Sequence, residues 1–276
     1  MLTHTFSHIP GIGLRTEQRL WQAGIRCWDD ARSQPLPHFL AKKEAALRQG
    51  LDASRLRLDD DPGFFTARLP PSRHWRIFPH FRQRTAYLDI ETSGGGPEGD
   101  HVTAISLWDG ATLRSYVWGE NLEQFLDDVL AYRVLVTFNG KSFDVPVLER
   151  HFRTRLPHAQ IDLCHVLRGL GLRGGLKAVE KACNIFRMEL DGIDGYAAVL
   201  LWRHYEKTGD RRALDTLLAY NVLDTVNLEA LTVEAYNRHV AATPFADQLR
   251  LPYPWPPANP YRADPDLLAA CRRGWI

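Results

Sequence analysis

An α/β domain preceded by a small helical region is predicted from three features of this 276-residue chain. Three β-rich runs, 85–92, 101–108 and 112–118, follow one another closely, the last two separated by an Asp109-Gly110 hairpin signal. A continuous apolar run at 133–138 then reads as a buried strand, and helical patterns alternate with it. Ahead of all of these, residues 26–60 are helical and polar in pattern, with Leu36, Phe39, Leu40, Ala45 and Leu47 on a modest apolar face.

Composition narrows the class. A hydrophobic content of 45% with 24% charged residues is that of an ordinary globular protein. No apolar run approaches the roughly 18 residues of a membrane span. Residues 1–50 carry neither a signal peptide nor a transit pattern, so the expected setting is the cytoplasm, away from membranes. Cys27, Cys164, Cys183 and Cys271 form no Cys-x-x-Cys pair, which argues against a zinc ribbon or a disulfide framework. The net charge of +1 decides nothing about nucleic acid, because a local basic surface is enough.

Near the amino terminus, the Gly11-x-Gly13 turn opens a short helical pattern, and Gly24 precedes Ile25. This resembles a helix-hairpin-helix element, in which glycines let the backbone approach a phosphate that helix-terminal amides then meet. A purely structural helical cap is the alternative. From 62 to 88 no acid occurs, while Arg68, Arg73, Arg76, Arg82 and Arg84 interleave with Phe64, Phe65, Trp75, Phe78 and Phe81. Such a mixture suits a single-strand groove. An extended connector that packs its rings and leaves its arginines in water is the favoured reading.

In the first strand, Tyr87, Asp89 and Glu91 share one face and Leu88 and Ile90 the other, so two carboxylates stand side by side at its carboxyl end. Adjacent acids repel unless a cation lies between them. The glycine-rich loop at 93–100 follows. Asn121 is expected to cap a helix reaching about Tyr132. The strand at 133–138 ends at Asn139-Gly140-Lys141-Ser142-Phe143-Asp144, with Pro146 in the first turn of the next helix. That puts Asp144 where a strand gives way to a helix, a common station for a functional acid.

Residues 161–167 are expected to be a short strand or helix, with Asp162 as a cap. A helix follows Gly174-Gly175 and carries Lys177. A turn is expected at 191–195 and a helix at 196–205. The last strong element is a helix at about 211–237, on which Tyr220 and Asp224 lie one turn apart on one face. Beyond it, Pro252-Tyr253-Pro254-Trp255-Pro256-Pro257 reads as an extended tail.

Taken together, Asp89-x-Glu91, Asn139-x-x-x-Phe143-Asp144 and Tyr220-x-x-x-Asp224 resemble the three motifs of the DEDD, or DnaQ-like, exonuclease superfamily in its tyrosine-bearing subclass. The element order is similar to the ribonuclease H-like fold, a mixed β-sheet flanked by helices. With the amino-terminal element, the chain looks most like the YprB-like branch of bacterial ribonuclease H-like proteins. The resemblance implies a 3′ to 5′ exonuclease acting on nucleic acid, DNA in preference to RNA, with two Mg²⁺ or Mn²⁺ ions held by Asp89, Glu91, Asp144 and Asp224. It implies that Tyr220 orients the attacking water. Hard oxygen donors suit these cations.

Gly11, Gly13, Asn139, Lys141 and Lys177 are candidate nucleic-acid contacts. The expected organisation is a helical accessory region at 1–60, a basic and aromatic connector at 61–84, the ribonuclease H-like domain at 85–240 and a proline-rich tail at 241–276. An RNA-trimming enzyme would use the same acids. A catalytically idle binding or scaffold protein has no reason to retain all four acids and the tyrosine. A small-molecule phosphoesterase is a further alternative.

Overall fold

The computed structural model describes residues 1–95, 100–187, 190 and 195–273. The amino-terminal region comprises α1 (Leu14–Gln22), α2 (Trp28–Ser33) and α3 (Glu44–Arg55). Between them and the sheet, residues 61–84 are not extended. They fold into α4 (Pro62–Thr66), a 3-10 turn Pro71–Arg76, α5 (Phe78–Phe81) and a second turn Arg82–Arg84. The physical reason is apolar: Phe65, Trp75, Phe78 and Phe81 are buried, and compact turns put all four rings inward. Arg76 is buried as well, against the expectation that these arginines stay in water, because it meets the equally buried Glu17 at 2.7 Å.

The sheet contains β1 (Thr85–Thr92), β2 (Val102–Trp108) and β3 (Leu113–Val117), an antiparallel meander as expected. The helix expected from Asn121 to Tyr132 is shorter, a 3-10 turn Leu122–Gln124 leading into α6 (Phe125–Val129). Asn121 does not cap it by its side chain. That amide instead accepts from Val117 N–H at 2.8 Å and donates to the Ser115 carbonyl at 3.1 Å, closing the end of β3.

β4 (Val134–Thr137) precedes α7 (Asp144–His151), and β5 (Ala159–Asp162) runs directly into α8 (Leu163–Arg168). α9 (Leu176–Ala182) is followed by α10 (Gly195–Thr208) and the long α11 (Arg211–Ala241). The turn expected at 191–195 lies, but for Gly195, outside the described residues, as does 96–99 of the glycine-rich loop. After the short α12 (Ala246–Leu249), the proline-rich stretch is irregular, yet it leads to α13 (Pro265–Arg273), which proline content had masked.

Strand order is β3-β2-β1-β4-β5, with β1, β4 and β5 parallel. Ala86, Leu88 and Ile90 pack with Phe125, Val129, Val145 and Leu148 on one face. Tyr87 faces the other layer with residues of α8 and α11. That second cluster also takes in Phe6, Leu20, Trp28, Leu47 and Trp75, so the amino-terminal helices share its apolar interior. This is the mixed five-stranded sheet with flanking helices of a ribonuclease H-like fold.

Candidate active site

The topology opens a crevice at the carboxyl end of β1. Pairing of β1 with β4 stops at Tyr87–Val136, whereas pairing with β2 continues through Asp89–Ser106 and Glu91–Ala104. Asp89 and Glu91 therefore stand beyond the end of β4, at the point where chain order reverses across the sheet, the usual ligand position in an open α/β sheet. Asp144 begins α7 beside them, and α11 crosses the same layer with Tyr220 and Asp224 one turn apart. A cavity of about 330 Å³ is lined by Asp89, Glu91, Thr92, Phe143, Val199, Tyr220 and Asp224.

The four acids sense one another. Burial, then repulsion from Asp224, Glu91 and Asp144, pushes the Asp89 carboxyl well above its ordinary range. Glu91 is driven up by burial, then by Asp224 and Asp144. Asp144 is raised by burial to about 7, against a downward pull from its own amide and that of Ile90. Asp224 is raised by burial and relieved by Arg187, which donates through Nη1 to its Oδ1. Desolvation and like charge push Tyr220 well above the usual phenol range, so it is a hydrogen-bond donor throughout the physiological range. Its side chain is hydrogen-bonded to Asp224.

This donor set, four hard carboxylates in mutual repulsion, fits a divalent cation such as Mg²⁺ or Mn²⁺. As they stand, no three of the described His, Cys, Asp or Glu side chains are drawn together around one ion position. Arg187 is the counter-charge at Asp224, and its Nε also donates to Glu180, which accepts from Asn227 at 2.9 Å. Lys177 lies 4.6 Å from the centre of the Tyr220 ring and lowers the acidity cost at Glu91 and Asp224. Asn221 donates to Asp89 Oδ2 at 2.8 Å.

Of the residues named from sequence, Asp89, Glu91, Tyr220 and Asp224 line one cavity. Asp144 and Lys177 interact electrostatically with that group. Asn139 and Lys141 are placed differently: their backbone amides donate to Asp162 at 2.9 and 3.3 Å, and Asp162 also caps α8 through Cys164 N–H at 3.0 Å. Asn139 has a φ of 65°, and a Cβ on Gly140 would stand 2.3 Å from the Thr137 hydroxyl, so this turn requires its glycine. The Lys141 pKa is lowered by burial and raised by Asp162.

Gly11 and Gly13 are exposed in the amino-terminal region. Gly11 has a φ of 83°, and its carbonyl accepts from Lys43 at 2.7 Å. Sequence reasoning missed Arg187 and Asn221. Asn221 adjoins the Tyr220 motif and offered a positional clue; Arg187 sits in no motif.

A family model for the ribonuclease H superfamily matches residues 86–236, and the chain belongs to that superfamily. Nucleases of this group act on nucleic acid and generally use divalent metal ions. Among individual proteins, it is 31% identical over 169 residues to the uncharacterized protein YprB of Bacillus subtilis (strain 168), an alignment covering 53% of this chain and 40% of that protein. A family B DNA polymerase from the hyperthermophilic archaeon Pyrobaculum calidifontis matches 57% of this chain and 29% of its own, at 16% identity and a TM-score of 0.37. The chain thus spans less than half the length of either. No described helix is long and apolar enough to cross a membrane.

Proposed function

We propose that this protein is a metal-dependent 3′ to 5′ exonuclease that hydrolyses terminal phosphodiester bonds, with DNA preferred over RNA. The observation that carries the reading is the convergence of Asp89, Glu91, Asp144 and Asp224, from three separate segments, on one crevice that also holds Tyr220. Structural acids in a protein interior are paired with a cation or donors; among the described residues Asp224 of these four has an ion pair, with Arg187, while the group repels itself.

In this reading Asp89, Glu91, Asp144 and Asp224 would hold the divalent ions, with Asp89, Glu91 and Asp224 lining the same cavity. Such ions, when bound, would supply a hydroxide equivalent at neutral pH and neutralise charge on the attacking and leaving oxygens. Tyr220, kept protonated by its surroundings and hydrogen-bonded to Asp224, orients the attacking water by its hydroxyl instead of abstracting a proton. Asn221 fixes the Asp89 carboxylate, and the Glu180–Arg187 pair fixes Asp224. Lys177 balances charge beside Tyr220.

Residues 85–240 form the nuclease domain in this proposal, 1–60 an accessory region whose Gly11–Gly13 turn contacts duplex phosphate, 61–84 the connector and 241–276 a tail. The test is incubation of end-labelled single-stranded DNA, 3′-recessed duplex and RNA with the protein in Mg²⁺, Mn²⁺ or EDTA. A ladder shortening from the 3′ end, absent in EDTA, is expected. No cleavage of any polymer with either metal overturns the proposal, and hydrolysis of a small phosphodiester alone would then favour a small-molecule phosphoesterase.

A further inference from the structure

Next to the acids, on the adjoining face of α11, a second cavity of about 450 Å³ has no part in the hydrolysis described above. Tyr220 and Asp224 form one stripe of that helix. Ala219 and Leu223, each one residue earlier and therefore about 100° round the helix, line the second cavity. Its other side is built by Phe186, which is 70% exposed, and by Tyr261 and Arg262 of the carboxyl-terminal segment. That segment is fastened to α11: Asn259 donates to the Ala219 carbonyl at 2.8 Å, and the Asp264 amide donates to the Thr216 hydroxyl at 2.9 Å.

Arg187 joins the two cavities. It lines the second while donating to Asp224 of the first, and its side chain is only 3% exposed. Nε and Nη1 are satisfied by Glu180 and Asp224, whereas Nη2 is buried without a partner among the described residues. A buried guanidinium N–H without an acceptor is costly. A phosphate oxygen is the acceptor that a guanidinium best matches.

We infer that this cavity binds one nucleotide of a single strand whose neighbouring phosphodiester lies at the four acids. The inference rests on the nuclease reading for that register. Arg187 and Arg262 receive the phosphate, the exposed Phe186 ring and Tyr261 receive the base, and Ala219 and Leu223 provide an apolar floor. Rings beside guanidinium groups suit a ligand that joins a π-face to an anion, which a nucleotide does. The carboxyl-terminal segment thereby becomes part of the substrate surface.

The test is fluorescence anisotropy of a labelled oligothymidylate with the full chain in EDTA. Phe186→Ala is expected to weaken binding about tenfold, as loss of one stacked base does, and Phe186→Ala with Arg262→Ala to weaken it further. Circular dichroism confirms that the fold is kept, and Trp255→Ala, at a tail ring 92% exposed and outside the cavity, is the unchanged control. A double variant that binds as tightly as wild type overturns the inference, and so does a wild type that does not bind. Adding Mg²⁺ separates this result from the parent reading. Binding lost with Phe186 and Arg262 but no cleavage by wild type keeps the pocket and overturns the nuclease; cleavage with unmoved binding overturns the pocket alone.

Discussion

Asn221 on α11 donates its side-chain amide to Asp89 on β1 at 2.8 Å, tying the central strand of the sheet to the helix that also carries Tyr220 and Asp224. Asn221 is wholly buried, and its bond draws Asp89 toward its charged form against burial and three like charges. Asn221→Ala is therefore expected to lower kcat/KM about tenfold or more, the scale of a lost hydrogen bond to a charged group. Titrating Mg²⁺ against rate checks it: the midpoint should move to higher metal concentration.

Tyr220→Phe removes the hydroxyl and keeps the packed ring. Misplacing a reacting group by about 1 Å costs on the order of 100-fold in rate, so kcat should fall between about 10- and 100-fold with KM for oligonucleotide nearly unchanged. Because the phenol is held far above its ordinary range, wild-type activity should show no alkaline limb from this group up to pH 10. Steady-state kinetics across pH tests both statements.

Asp144 gives a stability prediction whose sign follows from linkage. Its carboxyl is raised by burial to about 7 in the folded protein, above the value of 3.8 for an unperturbed carboxyl. Between those values the folded state binds the extra proton, so rising pH through this window removes stability. In EDTA, Asp144→Asn should gain on wild type as pH rises from 5 to 8, by about 1–3 kcal/mol. Thermal melting of both proteins across that range measures it, and a difference independent of pH would contradict it.

The Glu17–Arg76 pair holds the amino-terminal region to the turn at Pro71–Arg76. Glu17 also accepts from the Thr5 hydroxyl at 2.7 Å and from the Phe6 and Ser7 amides at 2.7 and 3.0 Å. Removing one partner of such a buried pair costs about 3–5 kcal/mol, so Glu17→Ala should shift urea unfolding by about that amount.

The central sheet was legible in the sequence because alternation along 85–92 and the Asp109-Gly110 turn are local signals that tertiary packing leaves in place. So was the association of the acids, since each sits at a strand end or on a helix face that topology carries to one edge. What local pattern did not reveal depended on distant partners. Arg76 looked like a solvated arginine until Glu17 met it across the fold, and Arg187 belongs to no motif yet pairs with Asp224. Nor did the α13 helix show through, because Pro252, Pro254, Pro256 and Pro257 dominate the stretch before it. Lys141 sits beside a motif acid in sequence, while Asp162 turns its loop into a structural cap.

The most direct test is the rate at which a 5′-labelled single strand is shortened from its 3′ end at saturating Mg²⁺ by wild type and by Asp89→Asn, Glu91→Gln, Asp144→Asn and Asp224→Asn, each shown to be folded. Each neutral isostere is expected to lose about 100- to 1,000-fold, the scale of losing one preorganised electrostatic group at a reacting centre. Wild-type rates retained by the Asp89 and Asp224 variants would contradict hydrolysis at these four acids.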